Sequence, residues 1–281
     1  MITVENLNFS YTAKPFIESM TFSVQPGEIF GFLGPSGAGK STVQKILTGL
    51  IPSYKGNVVV NTVEPRRCGS AFYEHIGVDF EVPSLFEKLS GRENLSYFAS
   101  LYKHTFPIEP LLESVGLAAE ADKKVSAYSK GMKSRLNFIK ALIHSPSILF
   151  LDEPTSGLDP SNARVMKDLI LQQREKGTTI LLTTHNMYDA TELCDRVAFI
   201  VDGSIRSLDS PRNLIMSRGA VTVSYSYKEQ GTEYQRCTQL SSIGEDTELL
   251  NALKENRLLS IHSSEPTLND IFTELTGRKL Q

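Results

Sequence analysis

The sequence lacks the marks of a disulfide-bonded, zinc-binding, secreted or membrane-spanning chain. Its cysteines, Cys68, Cys194 and Cys237, are widely spaced and form no Cys-x-x-Cys pair. Its longest unbroken apolar run, residues 197–201, is far shorter than the roughly 20 residues that cross a bilayer. The first ten residues lack the basic start and apolar stretch of a signal peptide. We therefore expect a chain that works in a reducing compartment and spans no membrane itself.

A surplus of positive charge is also missing. The 281 residues carry a formal net charge of −3, and the pI is near 6.0. This balance gives no general attraction to nucleic acid, and no repeat or low-complexity segment is present. Apolar residues make up 40% of the chain, which is enough for a sizeable core. The length predicts one large domain, or a main domain with a small appendage.

Strand and helix patterns alternate along the first two thirds of the chain. An apolar-rich strand at 28–33 stops at Gly34, and Val43, Ile46, Leu47 and Leu50 then follow with helical spacing. The continuous apolar run at 148–151 is typical of a parallel strand buried on both faces. The rhythm predicts an α/β domain with a mostly parallel sheet. Further elements are predicted as strands near 57–60, 179–183 and 196–201 and a helix at 163–175.

Residues 85–144 are predicted to be mostly helical, and the composition changes after Gly203. In the helical part, Ser129 can cap a helix with an apolar face at Met132, Leu136, Ile139 and Ile143 and solvated lysines at 130, 133 and 140. Beyond it, residues 221–227 alternate with a period of two. A helix at 248–255, a strand at 258–262 and a Thr267/Asp270 helix start complete a small α+β appendage at 215–281.

The strongest motif is a glycine-rich loop between a predicted strand and a predicted helix. Glycines let the backbone curl so that its N–H groups point at a phosphate, and the helix N-terminus adds partial positive charge. Lys40 would reach the β- and γ-phosphates of ATP, and the Ser41 hydroxyl would ligate Mg²⁺. The alternative is a plain glycine-rich turn. The loop consists of Gly34, Pro35, Ser36, Gly37, Ala38, Gly39, Lys40, Ser41 and Thr42.

Two carboxylates follow the buried strand at 148–151. Asp152 and Glu153 are expected near the phosphate loop. The two carboxylates follow one strand and the loop follows another strand of the same sheet, so both features lie at carboxyl ends of strands. Asp152 would hold Mg²⁺, and Glu153 would orient or deprotonate the attacking water. Taken alone, two acids after a strand are a common strand exit. The upstream loop favours the catalytic interpretation.

These motifs, taken together, resemble those of the ATPase subunits of ABC transporters. GPSGAGKST at 34–42, YSKGM at 128–132, LFLDEPTSGLDP at 149–160 and TTH at 183–185 occur in the family's order and cover about 1–205. The resemblance implies an ATPase domain at 1–214 with a mostly parallel core sheet, an N-terminal antiparallel β subdomain and a helical subdomain at about 83–145. Residues 215–281 would form a small accessory domain.

The resemblance also implies roles for several further residues. Ser129 and Gly131 would belong to the signature loop that contacts the γ-phosphate held by a second subunit; a plain helix cap is the alternative for Ser129. His185 would bind the γ-phosphate and stabilise transition-state charge, although a lone His after a strand is usually only a polar strand end. Asp159 would align the opposite site across the subunit interface, and it can also serve as a turn residue.

Tyr11 and Glu81 are the remaining site residues. Tyr11 would stack on adenine, with Phe9 as the rival and a core aromatic as the alternative for both. Glu81 stands where the family usually carries Gln. A carboxylate there could ligate Mg²⁺ but would repel the γ-phosphate. We expect Glu81 still to couple nucleotide to the partner.

The resemblance implies partners as well. The chain would pair with a second ATPase subunit, as a homodimer, and drive a separate membrane permease without binding nucleic acid. It would then be cytoplasmic, on the inner face of the cell membrane. The stretch at 265–277 resembles the C-terminal helix of ATPase subunits of multidrug and antibiotic exporters. The rival classes are a non-transport ABC ATPase acting on a ribosome or DNA, and a nucleotide-binding regulator that hydrolyses poorly.

Overall fold

The computed structural model describes residues 2–218 and 221–277, which divide into two compact units after Leu208. The division falls slightly before the expected boundary at 214, and the helix that begins at Pro211 belongs to the second unit. Residues 219–220 and 278–281 of the accessory segment 215–281 lie outside the described residues. Within the described part, no helix is both long enough and apolar enough to cross a membrane.

The strands and helices are numbered here in chain order. The strands are β1 (Ile2–Phe9), β2 (Ile17–Val24), β3 (Ile29–Leu33), β4 (Lys55–Val60), β5 (Ile76–Asp79), β6 (Ile148–Asp152), β7 (Thr179–Thr184), β8 (Arg196–Val201), β9 (Ser204–Asp209), β10 (Thr222–Glu229), β11 (Thr232–Gln239) and β12 (Leu258–Ser264). The helices are α1 (Lys40–Leu47), α2 (Ser70–Tyr73), α3 (Gly91–Ala99), α4 (Ile108–Ser114), α5 (Lys130–Leu142), α6 (Pro160–Glu175), α7 (Met187–Leu193), α8 (Pro211–Arg218), α9 (Thr247–Lys254) and α10 (Leu268–Thr276).

A six-stranded sheet with the order β5-β6-β7-β3-β8-β9 forms the centre of the first unit. The neighbours from β5 to β8 pair in parallel. Strands β3, β6 and β7 are buried along their whole length, as expected of parallel strands covered on both faces. The predicted α/β class with a mostly parallel sheet is therefore confirmed. In this order β7 lies between β3 and β6, so the carboxyl ends of all three strands meet at one edge.

A second sheet, antiparallel with the order β2-β1-β4, packs on the first through a shared apolar core. Aromatic rings carry part of this contact: the Phe22 ring lies 5.7 Å from Phe30 and 5.0 Å from Phe32, between centroids. The antiparallel β subdomain implied by the family resemblance is therefore present, and it supplies the segment that leads to Tyr11.

Between β5 and β6 lie the helices α3, α4 and α5 with short turns between them. Ser129 caps α5, as predicted, by accepting a hydrogen bond from the Met132 amide at 3.2 Å. One prediction for α5 is wrong: Lys140 is not solvated. It is half-buried, because its ammonium lies 4.9 Å from the Phe98 ring centroid and donates to Asn137 Oδ1 at 2.6 Å. Similarly, α1 ends at Leu47, so Leu50 is exposed rather than part of a helical stripe.

The second unit contains an antiparallel sheet with the order β11-β10-β12. The predicted alternation at 221–227 matches β10, whose Tyr225 and Tyr227 pack against Leu249 and Ala252 of α9. Thr267 and Asp270 form the predicted helix start, each side chain bonding the other residue's amide. The sequence patterns did not reveal β11 or α8, because β11 is almost wholly exposed and carries no apolar alternation.

An ion pair between Glu28, just before β3, and Arg196 of β8 is buried at its carboxylate and partly exposed at its guanidinium, and Arg196 links it to β2 of the second sheet. The Glu28 carboxylate is 8% exposed and accepts from Arg196 Nε at 2.6 Å, while Arg196 Nη2 donates to the Ser23 carbonyl at 2.6 Å. The Glu28 carboxylate also accepts a hydrogen bond from the backbone amide of Gln25 at 2.6 Å. Breaking such a pair by removing one partner leaves the other charge poorly compensated.

We predict that Glu28→Ala lowers the free energy of unfolding by about 2–4 kcal/mol, since the Arg196 guanidinium loses its carboxylate partner, although it keeps the Ser23 carbonyl, and the Gln25 backbone amide loses the Glu28 acceptor. Urea denaturation followed by circular dichroism measures this change. Glu18→Ala, at an exposed position of β2, is the control, and we expect a change within about 0.5 kcal/mol. Equal losses in the two variants would contradict the structural role of the pair.

Candidate functional site

The glycine-rich loop connects β3 to α1, and two of its glycines have little room for a side chain. A Cβ on Gly34 would lie 2.1 Å from the Ile200 carbonyl oxygen of β8. Gly39, which precedes α1, has a φ of +110°, and a Cβ there would lie 2.6 Å from the Ile17 side chain. Glycine at these two positions therefore permits the tight path on which the loop amides converge at the helix N-terminus.

Lys40 extends back over this loop. Its Nζ donates to the carbonyl oxygens of Gly34 at 2.7 Å and Pro35 at 3.1 Å, and the residue is only 7% exposed. Burial lowers the pKa of the Lys40 ammonium, and the carboxylates of Glu153, Asp152 and Glu81 oppose this effect. The amine thus lies in a cleft where phosphate oxygens could take the place of the two carbonyls.

Asp152, the last residue of β6, lies across β7 from the loop. Its Oδ1 accepts from the Ser41 hydroxyl at 3.3 Å and also from the Thr183 hydroxyl of β7. Thr183 therefore holds the carboxylate toward Ser41, a role that the sequence did not reveal. Only its position directly before Thr184 and His185 could have suggested it.

Glu153 has an unusual backbone conformation that the adjacent strand holds in place. Its φ is +51°, rare for a residue with a side chain, and its amide donates to the Thr183 carbonyl at 2.9 Å. The Oε1 atom lies 2.9 Å from His185 Nδ1, while Oε2 accepts from the Thr184 hydroxyl at 3.2 Å and from the His185 amide at 3.4 Å. Glu153 and His185 thus form one hydrogen-bonded unit.

These groups surround a cavity of about 260 Å³. It brings together most of the residues that the sequence singled out, including Glu81, which follows β5. The cavity also includes Phe16, which the sequence reasoning missed; an aromatic residue soon after Tyr11 was the available signal. The lining residues are Phe16, Ser36, Gly37, Gly39, Lys40, Ser41, Thr42, Glu81, Glu153 and His185.

Tyr11 and Phe9 have different environments. Phe9 is the last residue of β1 and is buried, whereas Tyr11 is 60% exposed beyond the strand. The Tyr11 hydroxyl lies 3.0 Å from the Thr42 hydroxyl, and its ring centroid is 5.4 Å from that of Phe16. Of the two aromatics, Tyr11 is the exposed one, and its hydroxyl contacts the phosphate loop.

Ser129, Gly131 and Asp159 are among the described residues but do not line this cavity. They are instead close to one another. Asp159 caps α6 by accepting from the amides of Ser161 and Asn162, and the Asn162 side chain donates to the second carboxylate oxygen, which lowers the pKa of Asp159. A Cβ on Gly131 would lie 2.7 Å from the Asn162 side chain. The Asn162 side chain thus fills the space between Gly131 and Asp159.

The oxygen atoms beside Lys40 fit a magnesium ion. Mg²⁺ prefers hard oxygen ligands and is usually held by one or two carboxylates together with phosphates and water. Ser41 Oγ and Asp152 Oδ1 are adjacent, and Glu81 lines the same cavity as Ser41. In the described ranges, no group of three or more His, Cys, Asp or Glu residues could hold a metal by itself. The phosphates of a nucleotide would have to complete the site.

A second cavity, of about 320 Å³, lies on the other side of Glu153 and Glu81. It is bordered by Lys130 of the signature loop, Asn137 of α5 and Asp79 at the end of β5. Burial raises the pKa of Asp79 to about 7, although Lys140 and the Asn137 amide favour its charged form. Asp79 and Asn137 were not singled out from the sequence.

Comparison with known proteins gives consistent matches. The ABC transporter family profile matches residues 17–156. The chain is 48% identical to a fluoroquinolones export ATP-binding protein of Mycobacterium tuberculosis, over 100% of this chain and 94% of that protein. It is 34% identical to Nod factor export ATP-binding protein I of Burkholderia thailandensis, over 100% and 98%. A solved ATP-binding subunit of an ABC transporter matches with a TM-score of 0.71 at 28% identity, over 77% of this chain and 92% of that one.

We predict that Lys40→Ala weakens ATP binding roughly 10- to 100-fold, since a charge-assisted contact to phosphate is lost. Titration with a fluorescent ATP analogue measures the dissociation constant. Lys45→Ala, on the exposed face of the same helix, is the matched control and should leave binding unchanged. Equal affinity for the two variants would contradict the phosphate-binding role of the loop lysine.

Proposed function

The chain belongs to the ABC transporter family as an ATP-binding subunit that hydrolyses ATP, and from this premise we propose that it powers export through a separate membrane permease. Two relatives that match over nearly their whole length carry export in their names. The helix with its capping box at Thr267–Asp270 lies in the stretch that resembles exporter subunits. Export of a substrate is thus the direction that the sequence relationships favour.

The observation that carries the proposal is the hydrogen-bonded unit of Glu153 and His185 beside Lys40. We propose that Lys40 and the loop amides bind the β- and γ-phosphates. Ser41, Asp152 and Glu81 would hold Mg²⁺, which when bound neutralises charge on the phosphate oxygens. Tyr11 would stack on adenine.

Catalysis at this site would depend on Glu153. Its carboxylate would orient the attacking water and accept its proton, and the Thr184 hydroxyl and His185 amide hold it in place for this role. His185 would contact the γ-phosphate and stabilise the charge that develops on it. Because both side chains are joined in the structure, a displacement of one would move the other.

We propose further that two copies enclose two nucleotides. Ser129, Gly131 and Asp159 do not line the cavity of their own subunit. The N-terminus of α5, which carries Ser129, provides partial positive charge for a phosphate held by the other copy. Asn162 would keep Asp159 and Gly131 in register, so that both reach the opposite site together.

We predict that Glu153→Gln forms a stable dimer with ATP and turns over at least about 100-fold more slowly, because the amide cannot accept the proton. Analytical ultracentrifugation with and without ATP measures the assembly. The double variant Lys40→Ala/Glu153→Gln is the control and should stay monomeric. A Glu153→Gln protein that remains monomeric with ATP, alone and beside its permease, would rule out the two-copy arrangement.

The permease would keep the chain at the inner face of the cell membrane, on the cytoplasmic side. An aromatic patch, formed by Phe86, Tyr97 and Phe98, lies in the segment after Glu81 where family members receive their permease. Phe86 is 4.9 Å from Tyr97 and 5.8 Å from Phe98, between ring centroids, and both Phe86 and Tyr97 are exposed. We propose that residues 215–281 form an accessory domain that stabilises or regulates the dimer.

We predict that the tagged chain co-purifies from a membrane fraction with the permease encoded beside it, and that the permease stimulates its ATPase activity. In that complex, Glu81→Ala should lower the stimulated rate roughly tenfold, because Glu81 lines the nucleotide cavity just ahead of the aromatic patch. Glu113→Ala, at an exposed position of α4, serves as the control.

Failure to capture a permease would contradict the transport proposal, and an unchanged stimulated rate in Glu81→Ala would contradict the coupling role.

The direction of transport can be tested in inside-out vesicles that contain the complex. ATP-dependent accumulation of a fluoroquinolone, used as the probe, would support export.

A further inference from the structure

A buried carboxylate lies two residues before Glu81, at the end of β5. Asp79 is 6% exposed, and its Oδ1 accepts a hydrogen bond from Asn137 Nδ2. Asn137 is 1% exposed and lies in the middle of α5, the helix that starts at the signature loop. A side-chain hydrogen bond thus joins the strand that leads to Glu81 with the helix that positions Ser129.

Lys140 extends this contact toward the surface. Its Nζ donates to Asn137 Oδ1 at 2.6 Å and to the Ser84 carbonyl at 3.3 Å, and it lies 4.9 Å from the Phe98 ring centroid. Ser84 belongs to the loop that carries Glu81, and Phe98 belongs to the aromatic patch. The ammonium therefore contacts α5, the loop and α3 at once.

The orientation of the Asn137 amide is fixed by its two neighbours. Its NH₂ group faces a carboxylate and its oxygen faces an ammonium, so a flipped amide would lose both hydrogen bonds in a buried environment. We term these three residues, Asp79, Asn137 and Lys140, the Asp79 cluster. Their two hydrogen bonds can form together in only one arrangement.

The aromatic patch is itself firmly attached to α3. The buried Asn94 side chain accepts from the Phe86 amide at 2.8 Å and donates to the Phe86 carbonyl at 3.1 Å. Phe86 and α3 therefore move as one body. A cavity of about 320 Å³ borders Asp79, Asn137, Glu81 and Glu153, which leaves space for the Glu81 side of this assembly to shift.

We propose that Asp79, Asn137 and Lys140 are positioning residues that transmit nucleotide occupancy at Glu81 to the aromatic patch and to the signature helix. This proposal rests on the proposed function, because the proposed function assigns the permease contact to the aromatic patch. It differs from a purely structural role in one respect. Replacing a buried ionic cluster often leaves stability unchanged, whereas a positioning role requires the specific hydrogen bonds.

A fluorescent reporter tests this in the isolated chain. The sequence contains no tryptophan, so Phe86→Trp introduces a single one into the aromatic patch. We expect MgATP to change its emission. In the Asn137→Ala background the change should be lost, while the dissociation constant of a fluorescent ATP analogue stays within about twofold.

The exchanged pair Asp79→Asn/Asn137→Asp should restore the response, because it preserves one carboxylate, one amide and a partner for Lys140. Lys140→Met, which retains the apolar stem, should abolish the response and provides a second variant if Asn137→Ala does not fold. Lys123→Met is the control, since the Lys123 ammonium pairs with Glu120 at the surface.

The proposal is overturned if the reporter does not respond to MgATP, or if Asn137→Ala and Lys140→Met respond like the control. It is also overturned if the response is lost only in proportion to weaker ATP binding. None of these outcomes depends on a permease. Failure of this mechanism is therefore distinguishable from failure of the export proposal.

Discussion

The position of β7 between β3 and β6 is the constraint on which the site depends. Parallel pairing aligns Leu33 with Thr184 and Asp152 with Thr183, so the phosphate loop and the carboxylates lie at one edge of the sheet. The Thr183 hydroxyl then orients Asp152, and the Thr183 carbonyl accepts from the Glu153 amide. A shift of β7 by one residue would turn these groups toward the opposite face of the sheet and separate the phosphate-binding and hydrolytic parts.

The same strand sustains an otherwise unfavourable backbone. Glu153 adopts a positive φ, which costs a residue with a Cβ of the order of 1–3 kcal/mol. Hydrogen bonds to the Glu153 carboxylate from the Thr184 hydroxyl and the His185 amide, together with its contact to the His185 ring, offset this cost. The geometry turns the carboxylate toward the cavity that Lys40 lines. The unfavourable backbone of Glu153 and the direction of its carboxylate are thus consequences of one strand pairing.

Much of the fold and most of the residues at the candidate site could be predicted, because local patterns encode them. The glycine-rich loop fixes its own path, and buried parallel strands appear as continuous apolar runs, so Lys40, Asp152 and Glu153 were found from the sequence. Phe16, Thr183 and the Asp79 cluster depend on contacts between residues far apart in the chain. Lys140 shows the limit most clearly: helical spacing placed it on the polar face, but the ring of Phe98 and the amide of Asn137 half-bury its ammonium. The exposed strand β11 was missed because it has no apolar alternation.

The buried polar side chains of Asp79 and Asn137 lie where β5 packs against α5. Asp79 and Asn137 could in principle be replaced by apolar side chains of similar size with little loss of stability, because desolvation offsets much of the attraction between buried charges. Apolar contacts would allow α5 to slide or rotate slightly against β5. Hydrogen bonds with fixed donors and acceptors do not, since each displacement leaves a buried group unpaired. The cluster therefore favours one relative position of the Glu81 loop and the signature helix, and in the proposed mechanism a nucleotide bound beside Glu81 would change that position by breaking and re-forming these hydrogen bonds.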